Sequence, residues 1–211
     1  MIPSAQKLIH AVEEADSSDR LLDAVQQLAA SGFKESIPTL IAALNYNNPG
    51  AAVAAVDGLV QMGEAAVQPL LELIDNYNYG ARAWAIRALA GIGDVRALNT
   101  LIDAAKTDFS LSVRRAATRG LGTLRWHELT TEQVQSVQAQ ALETLLLVCQ
   151  DSEWVVRYAA VTGLEALAIA QPAFVRGIIA QLEQMVNTET DLAVCTRIRM
   201  AQQQLQNLSD N

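Results

Sequence analysis

Between residues 82 and 125 the chain carries eight lysines and arginines, Arg82, Arg87, Arg96, Lys106, Arg114, Arg115, Arg119 and Arg125, against Asp94, Asp103 and Asp108. That is a local +5 inside a chain of net charge −8, so the flanks carry −13. Guanidinium groups grip carboxylates with paired hydrogen bonds, and a basic band in an acidic chain points to an anionic partner. Little else here could do chemistry. His10 and His127 are the only histidines, and neither has a cysteine or carboxylate spaced for a metal, so no metal site is expected. Neither a phosphate-cradling Gly-x-x-x-x-Gly-Lys nor a Gly-x-Ser-x-Gly elbow is present. Cys149 follows Leu145-Leu146-Leu147-Val148 and reads as a small buried hydrophobe; Cys195, two residues before Arg197, is the better placed thiol. Both are expected to be structural or neutral. His127, beside Trp126, reads as an ordinary loop residue.

The elements that must position the basic band are helices, because one pattern recurs four times. The copies are Ala52–Leu59, Arg82–Leu89, Arg114–Leu121 and Arg157–Leu164, and their closing leucines are 30, 32 and 43 residues apart. Such a period reads as helical-hairpin repeats, the long last interval marking an insertion. In the second copy Ala85 and Ala88 let a neighbouring helix approach while Ile86 and Leu89 supply apolar bulk. Gly91-Ile92-Gly93-Asp94 then reads as a turn, and Leu98, Leu101, Ile102 and Ala105 as the returning helix. One repeat earlier Gly63 is the turn, Val67, Leu70, Leu71 and Ile74 mark the returning helix, and Pro69 is expected in its first turn.

The fold class is therefore all-α, an α-solenoid of HEAT-like helical hairpins, expected as a single elongated domain over residues 1–211. A leading segment with a partial repeat covers about 5–48. Repeats follow over about 49–78, 79–109, 110–153 and 154–191, with a terminal helix over about 193–205. Asn45–Gly50 is a turn-rich break. Thr130-Thr131-Glu132-Gln133 can cap a long inserted helix running to about Cys149. The 211 residues are 51% hydrophobic and 5% aromatic, which suits packing through alanine and leucine. No signal-peptide core and no apolar run of membrane length are read, and two distant cysteines make no disulfide framework, so a soluble protein in a reducing compartment is expected. A pI near 4.7 argues against nucleic acid. The apolar run Leu145–Val148 is expected to need cover beyond the chain's own repeats.

Repeat alignment sorts the arginines. Arg82, Arg114 and Arg157 share one position and are expected to bond neighbouring turns; Arg87 and Arg119 share a more exposed one and, with Arg115, are the better binding candidates. Trp84 stands where the other copies have Ala54, Ala116 and Ala159. Two readings of the ring stand: extra core, or a ligand surface with Tyr77 and Tyr79 at the helix entrance beside it.

The Val-Arg-x-Ala-Ala and Gly-Ile-Gly-Asp elements resemble the phycobilisome-lyase type of HEAT-like repeat. Tyr46–Leu59, Tyr77–Asp94 and Asp108–Ala117, above all the run Tyr77-Asn78-Tyr79-Gly80-Ala81-Arg82-Ala83-Trp84, are similar to the smaller, F-type (beta) subunit of the phycocyanobilin lyase E/F family. The resemblance covers about Leu21 to Leu164. It implies a heterodimer with an E-type subunit, in the cyanobacterial cytoplasm near phycobilisomes. This pair would act on phycocyanobilin as substrate, with no tightly bound cofactor, and join it by a thioether bond to a cysteine of the phycocyanin alpha subunit. A related F-type subunit that isomerises its bilin carries a histidine–cysteine motif near Tyr77-Asn78-Tyr79-Gly80; neither residue is present, which implies attachment without isomerisation. No catalytic residue is assigned. The repeats alone equally suit a non-enzymatic adaptor on phycobiliproteins, such as a phycobilisome degradation factor, or a general interaction scaffold.

Overall fold

The computed structural model describes residues 4–75 and 79–209, and among these the regular structure is helical throughout. Two compact units, Met1–Ala97 and Leu98–Asn211, divide the chain. The first holds α1 (Ala5–Glu13), α2 (Ser18–Ser31), α3 (Ile37–Ala43), α4 (Pro49–Met62), α5 (Glu64–Asp75) and α6 (Tyr79–Ile92). The second holds α7 (Leu98–Thr107), α8 (Leu111–Gly122), α9 (Thr131–Val148), α10 (Trp154–Ala170), α11 (Val175–Val186) and α12 (Leu192–Ser209).

Each unit is two-layered. In the first, α2, α4 and α6 stack side by side while α3 and α5 cover one side of them; in the second, α8, α10 and α12 form the stack and α7, α9 and α11 the cover. The stacked helices are the repeat pattern seen in the sequence. Their inward positions are occupied by fully buried Leu59, Leu89, Leu121 and Leu164 together with Ala55, Ala85, Ala117 and Ala160. Alternation of leucine with alanine lets the backbones approach closely while still filling space. The nearest approach is between α8 and α10, where a Cβ placed on Gly122 would fall 2.2 Å from the carbonyl oxygen of Gly163. Between α4 and α2 a Cβ on Gly58 would meet that of Ala29 at 2.7 Å.

Local chemistry sets the ends. Asn48 caps α4 by accepting the amide of Ala51 at 3.0 Å, and its side-chain nitrogen donates to the carbonyl and hydroxyl of Ser18 at 2.8 and 3.0 Å, tying the start of α4 to that of α2. Ser17 caps α2, and Gly32 closes it with φ 67°. Thr130 and Gln133 form the capping box of the inserted helix α9, which ends within a residue of the expected position.

Two expectations are corrected. Gly91 is not part of the turn: α6 continues to Ile92, and only Gly93, at φ 70°, has the left-handed backbone. Gly91 is a packing residue instead, since a Cβ there would meet Val60 at 2.7 Å. Pro69 lies inside α5, beyond its first turn, because the reversal is completed at Gly63 alone, at φ 61°, and the helix starts at Glu64. The run Leu145–Val148 is also better covered than expected. Leu145 and Val148 are buried within the second unit, Leu146 is half-buried, and Leu147 is exposed.

Gly122→Ala should cost about 1–3 kcal/mol, because the backbone of α10 has no side chain to move aside. Gly177→Ala, in α11 with nothing within 4 Å of the new methyl, should stabilise by about 0.5–1 kcal/mol. Urea midpoints of the two variants against wild type test the contrast; equal midpoints would show that the α8–α10 contact is looser than described.

Candidate functional site

The arginines of the repeats divide by geometry. In the second unit, Arg157 donates from Nε and Nη2 to the two carboxylate oxygens of Glu189, at 2.7 and 2.8 Å, and from Nη1 to the carbonyls of Asp151 and Ser152, at 2.9 and 3.0 Å. Arg114 repeats the arrangement one hairpin earlier. It reaches Asp151 at 2.9 and 3.3 Å and the carbonyls of Asp108 and Phe109 at 3.0 and 3.4 Å. Each guanidinium thus joins the turn before its own helix to the following hairpin, and Arg82 is half-buried at the matching position of α6. The Glu189 side chain is 4% exposed, and its hydrogen bonds from Arg157 hold its carboxyl at about 2 against the desolvation that would raise it. The same hydrogen bonds raise Arg157 above the usual arginine value. Sequence reasoning missed these counter-ions, because Asp151 and Glu189 lie 37 and 32 residues beyond their arginines with no local motif to mark them.

Much of the basic band is neutralised in place. Arg96 pairs with Asp94, Arg114 with Asp151, and Arg125 with Glu128. Arg87, Arg115 and Arg119 are exposed. Arg87, on α6 in the first unit, lies over the ring of half-buried Trp84 at 5.7 Å from its centroid, a cation–π contact. In the same unit, α2 and α4 leave an open groove of about 360 Å³ between them, lined by residues that include Gln26, Ala30, Val53, Ala54, Asp57 and Gln61. Arg115 and Arg119 lie one turn apart on α8 in the second unit. Tyr77 lies outside the described residues, and Tyr79 is the first residue of α6.

The described residues hold no group of three His, Cys, Asp or Glu side chains that could bind a metal. His127 is exposed after buried Trp126. Cys149 is buried and its thiol is pushed up to about 12 by desolvation, so it stays protonated at neutral pH. Half-buried Cys195 donates to the carbonyl of Glu189 at 3.4 Å. Among the described residues no helix is long and apolar enough to cross a membrane.

Stacked helical hairpins joined by turn-bridging arginines define a protein of the HEAT-repeat class, and a family model described as HEAT repeats matches residues 53–122. Relatives narrow the class. A "phycocyanobilin lyase subunit beta" of Pseudanabaena tenuis is 56% identical, over 98% of this chain and 75% of that protein. "Phycocyanin alpha phycocyanobilin lyase CpcF" of a Synechocystis species is 53% identical, over 93% of this chain and 92% of its own. Among solved structures, one chain in the complex of CpcE and CpcF of phycocyanin lyase from a Nostoc species aligns with TM-score 0.76 and 53% identity, covering 80% of this chain and 98% of that one. The chain belongs to the family of phycocyanobilin lyase beta subunits.

Removal of Arg157 by Arg157→Gln should destabilise by about 3 kcal/mol, because Glu189 is left buried and unpaired. The pH dependence has a definite sign. Glu189 is held near 2 when folded and returns to about 4.5 when unfolded, so unfolding takes up a proton between those values. The stabilisation is complete above pH 4.5 and is lost as pH falls toward 2. Urea midpoints of wild type and Glu189→Gln should therefore differ at neutral pH and converge on acidification; a gap that persists at low pH would contradict the assignment. In the native state Cys149 should resist iodoacetamide at mildly alkaline pH while Cys195 reacts faster, as mass spectrometry of the labelled protein would read.

Proposed function

We propose that this chain is the smaller subunit of a heterodimeric lyase which, with an E-type partner, joins phycocyanobilin through a thioether bond to a cysteine of the phycocyanin alpha subunit. The observation that carries the reading is the near full-length match to lyase beta subunits, one of them solved in complex with CpcE. The chain's own chemistry is consistent with it. Addition of an acceptor thiol across a carbon–carbon double bond of the tetrapyrrole forms the C–S bond and moves the thiol proton to carbon, with no leaving group. The nucleophile belongs to the acceptor, and the catalyst has to bind, orient and exclude water. A protonated, buried Cys149 suits a chain that is not itself a covalent carrier.

The bilin is planar, apolar over most of its area, and bears carboxylates. Trp84 with Arg87 offers a face and a cation for such a molecule, with Tyr79 the first residue of the same helix and Tyr77 two positions earlier in the sequence. Arg115 and Arg119 are candidates for carboxylates of the bilin or of a protein partner. Two free cysteines suit the reducing cytoplasm of a cyanobacterium as its place of work.

Co-expression of the chain with an E-type subunit, the phycocyanin alpha subunit and a source of bilin should give colour that stays on the denatured alpha chain; omission of either lyase subunit should abolish it. Absence of covalent colour with all components present would overturn the reading. Trp84→Ala should fold, since the Arg87 contact contributes only about 0.5–1 kcal/mol, but should bind bilin several-fold more weakly in an absorbance titration of the heterodimer. Undiminished binding would remove Trp84 from the site.

A further inference from the structure

Bulky apolar side chains left in water are divided unevenly between the two units. Among the described residues the first unit has one, Tyr46, and the second has nine. Five of the nine gather at the starts of stacked helices. Leu111, Trp154 and Leu192 are the first residues of α8, α10 and α12, Tyr158 stands one turn into α10, and Phe109 lies just before α8. The corresponding starts of α2 and α4 are Ser18 and Pro49. First-turn positions favour proline and small polar or acidic residues, so leucine and tryptophan there do nothing for helix formation.

The arginine bridges bring these starts together. Arg114, three residues after Leu111, bonds Asp151, three residues before Trp154. Arg157, three residues after Trp154, bonds Glu189, three residues before Leu192. Leu111 and Trp154 thus hold one repeat position on adjoining helices, and Leu192 opens the next helix packed on α10. Phe109, Leu111, Trp154, Tyr158 and Leu192 are 74%, 40%, 45%, 39% and 82% exposed. At about 200 Å² for a large side chain, they leave on the order of 500 Å² of largely apolar surface in water. That lies at the upper end for a soluble monomer and is roughly two-thirds of the ~800 Å² one partner buries in a standard interface. Such a proportion belongs to permanent associations more than to transient ones. Arg115 and Arg119, one and two turns beyond Leu111, are exposed without an ion pair among the described residues and supply a polar rim.

We propose that the starts of α8, α10 and α12 form the seat of the E-type subunit, with Phe109, Leu111, Trp154, Tyr158 and Leu192 at the centre of the contact. This deepens the reading of the chain as the smaller subunit of a lyase pair and rests on it. An apolar patch that stays wet whenever its partner is away invites aggregation, so it suits a resident partner. The acceptor is a substrate and leaves after each attachment, and a bilin takes a concave pocket in place of an open row of helix starts. A chain 53% identical to this one is solved in a complex of CpcE and CpcF, the kind of lasting association that covers such a patch.

Tyr158 and Tyr46 give an internal reference, being one residue type at 39% and 38% exposure in the chain alone. In hydroxyl-radical footprinting of the full-length chain read by mass spectrometry, assembly with the E-type subunit should slow oxidation of Tyr158 about five-fold or more, with Trp154 and Phe109 protected alongside it. Trp154→Ala/Leu192→Ser should raise the dissociation constant of the pair about ten-fold or more. Ile169→Ser/Met200→Ser, at exposed apolar residues of the same unit outside the row, should leave it within about two-fold. Helical melts of each variant register any loss of fold, and the wild-type footprint decides without them. An unchanged rate at Tyr158 on pairing overturns the proposal, as does a loss of affinity from the Ile169 and Met200 pair with none from the Trp154 and Leu192 pair. Protection that appears only when apo phycocyanin alpha subunit is added gives the surface to the acceptor, and a chain alone in which Tyr158 already reacts far more slowly than Tyr46 gives it to a second copy; either result overturns the proposal too. A wild-type chain that forms no pair with the E-type subunit defeats the subunit reading itself, and this is seen before any variant is made.

Discussion

Two glycines, Gly122 and Gly163, let the backbones of α8 and α10 touch where any side chain would hold them apart. Stacked hairpins of this kind have no single centre; each helix buries itself only against its neighbours, so the closeness of one contact sets how much apolar surface the next can cover. Close approach brings Leu121 and Leu164 to full burial. It also sets the spacing at which Arg114, in the same helix as Gly122, reaches Asp151 of the following turn. Packing and ion pairing are therefore not independent here. A looser stack would leave the arginines short of their carboxylates, and each would then carry the cost of a buried, unpaired charge.

The repeat was legible because its signals are local. Small residues at Ala85, Ala117 and Ala160, leucines at the end of each copy and the capping box at Thr130 are read within one or two turns of chain. Gly91 misled because a helix can carry a glycine when a neighbour needs the room, and Val60 is that neighbour, 31 positions earlier. The misplacement of Pro69 has a different origin, in where the helix starts. Gly63 was read as the turn, but at φ 61° it reverses the chain so abruptly that α5 starts at the next residue, Glu64, and Pro69 falls inside the helix.

The site was less legible than the fold. Formal charge marked the stretch from Arg82 to Arg125, but charge alone cannot say which cations are already satisfied. Asp94 and Glu128 lie two and three residues from Arg96 and Arg125 and could have been foreseen; Asp151 belongs to another hairpin and could not. Trp84 was conspicuous against three alanines, and the guanidinium of Arg87 over its ring follows from their separation by three residues on one helix.

The arginine bridges also have a direction. Arg114 and Arg157 each reach forward to a carboxylate that comes later in the chain, at Asp151 and Glu189. During synthesis, a newly emerged hairpin therefore holds an unsatisfied cation until the next one leaves the ribosome. Completion runs from the Arg114 hairpin to the Arg157 hairpin, like two hooks closed in order. The final eye, Glu189, lies just before α12, so a chain stopped short of that point leaves the preceding hook open and the last full hairpin unlatched.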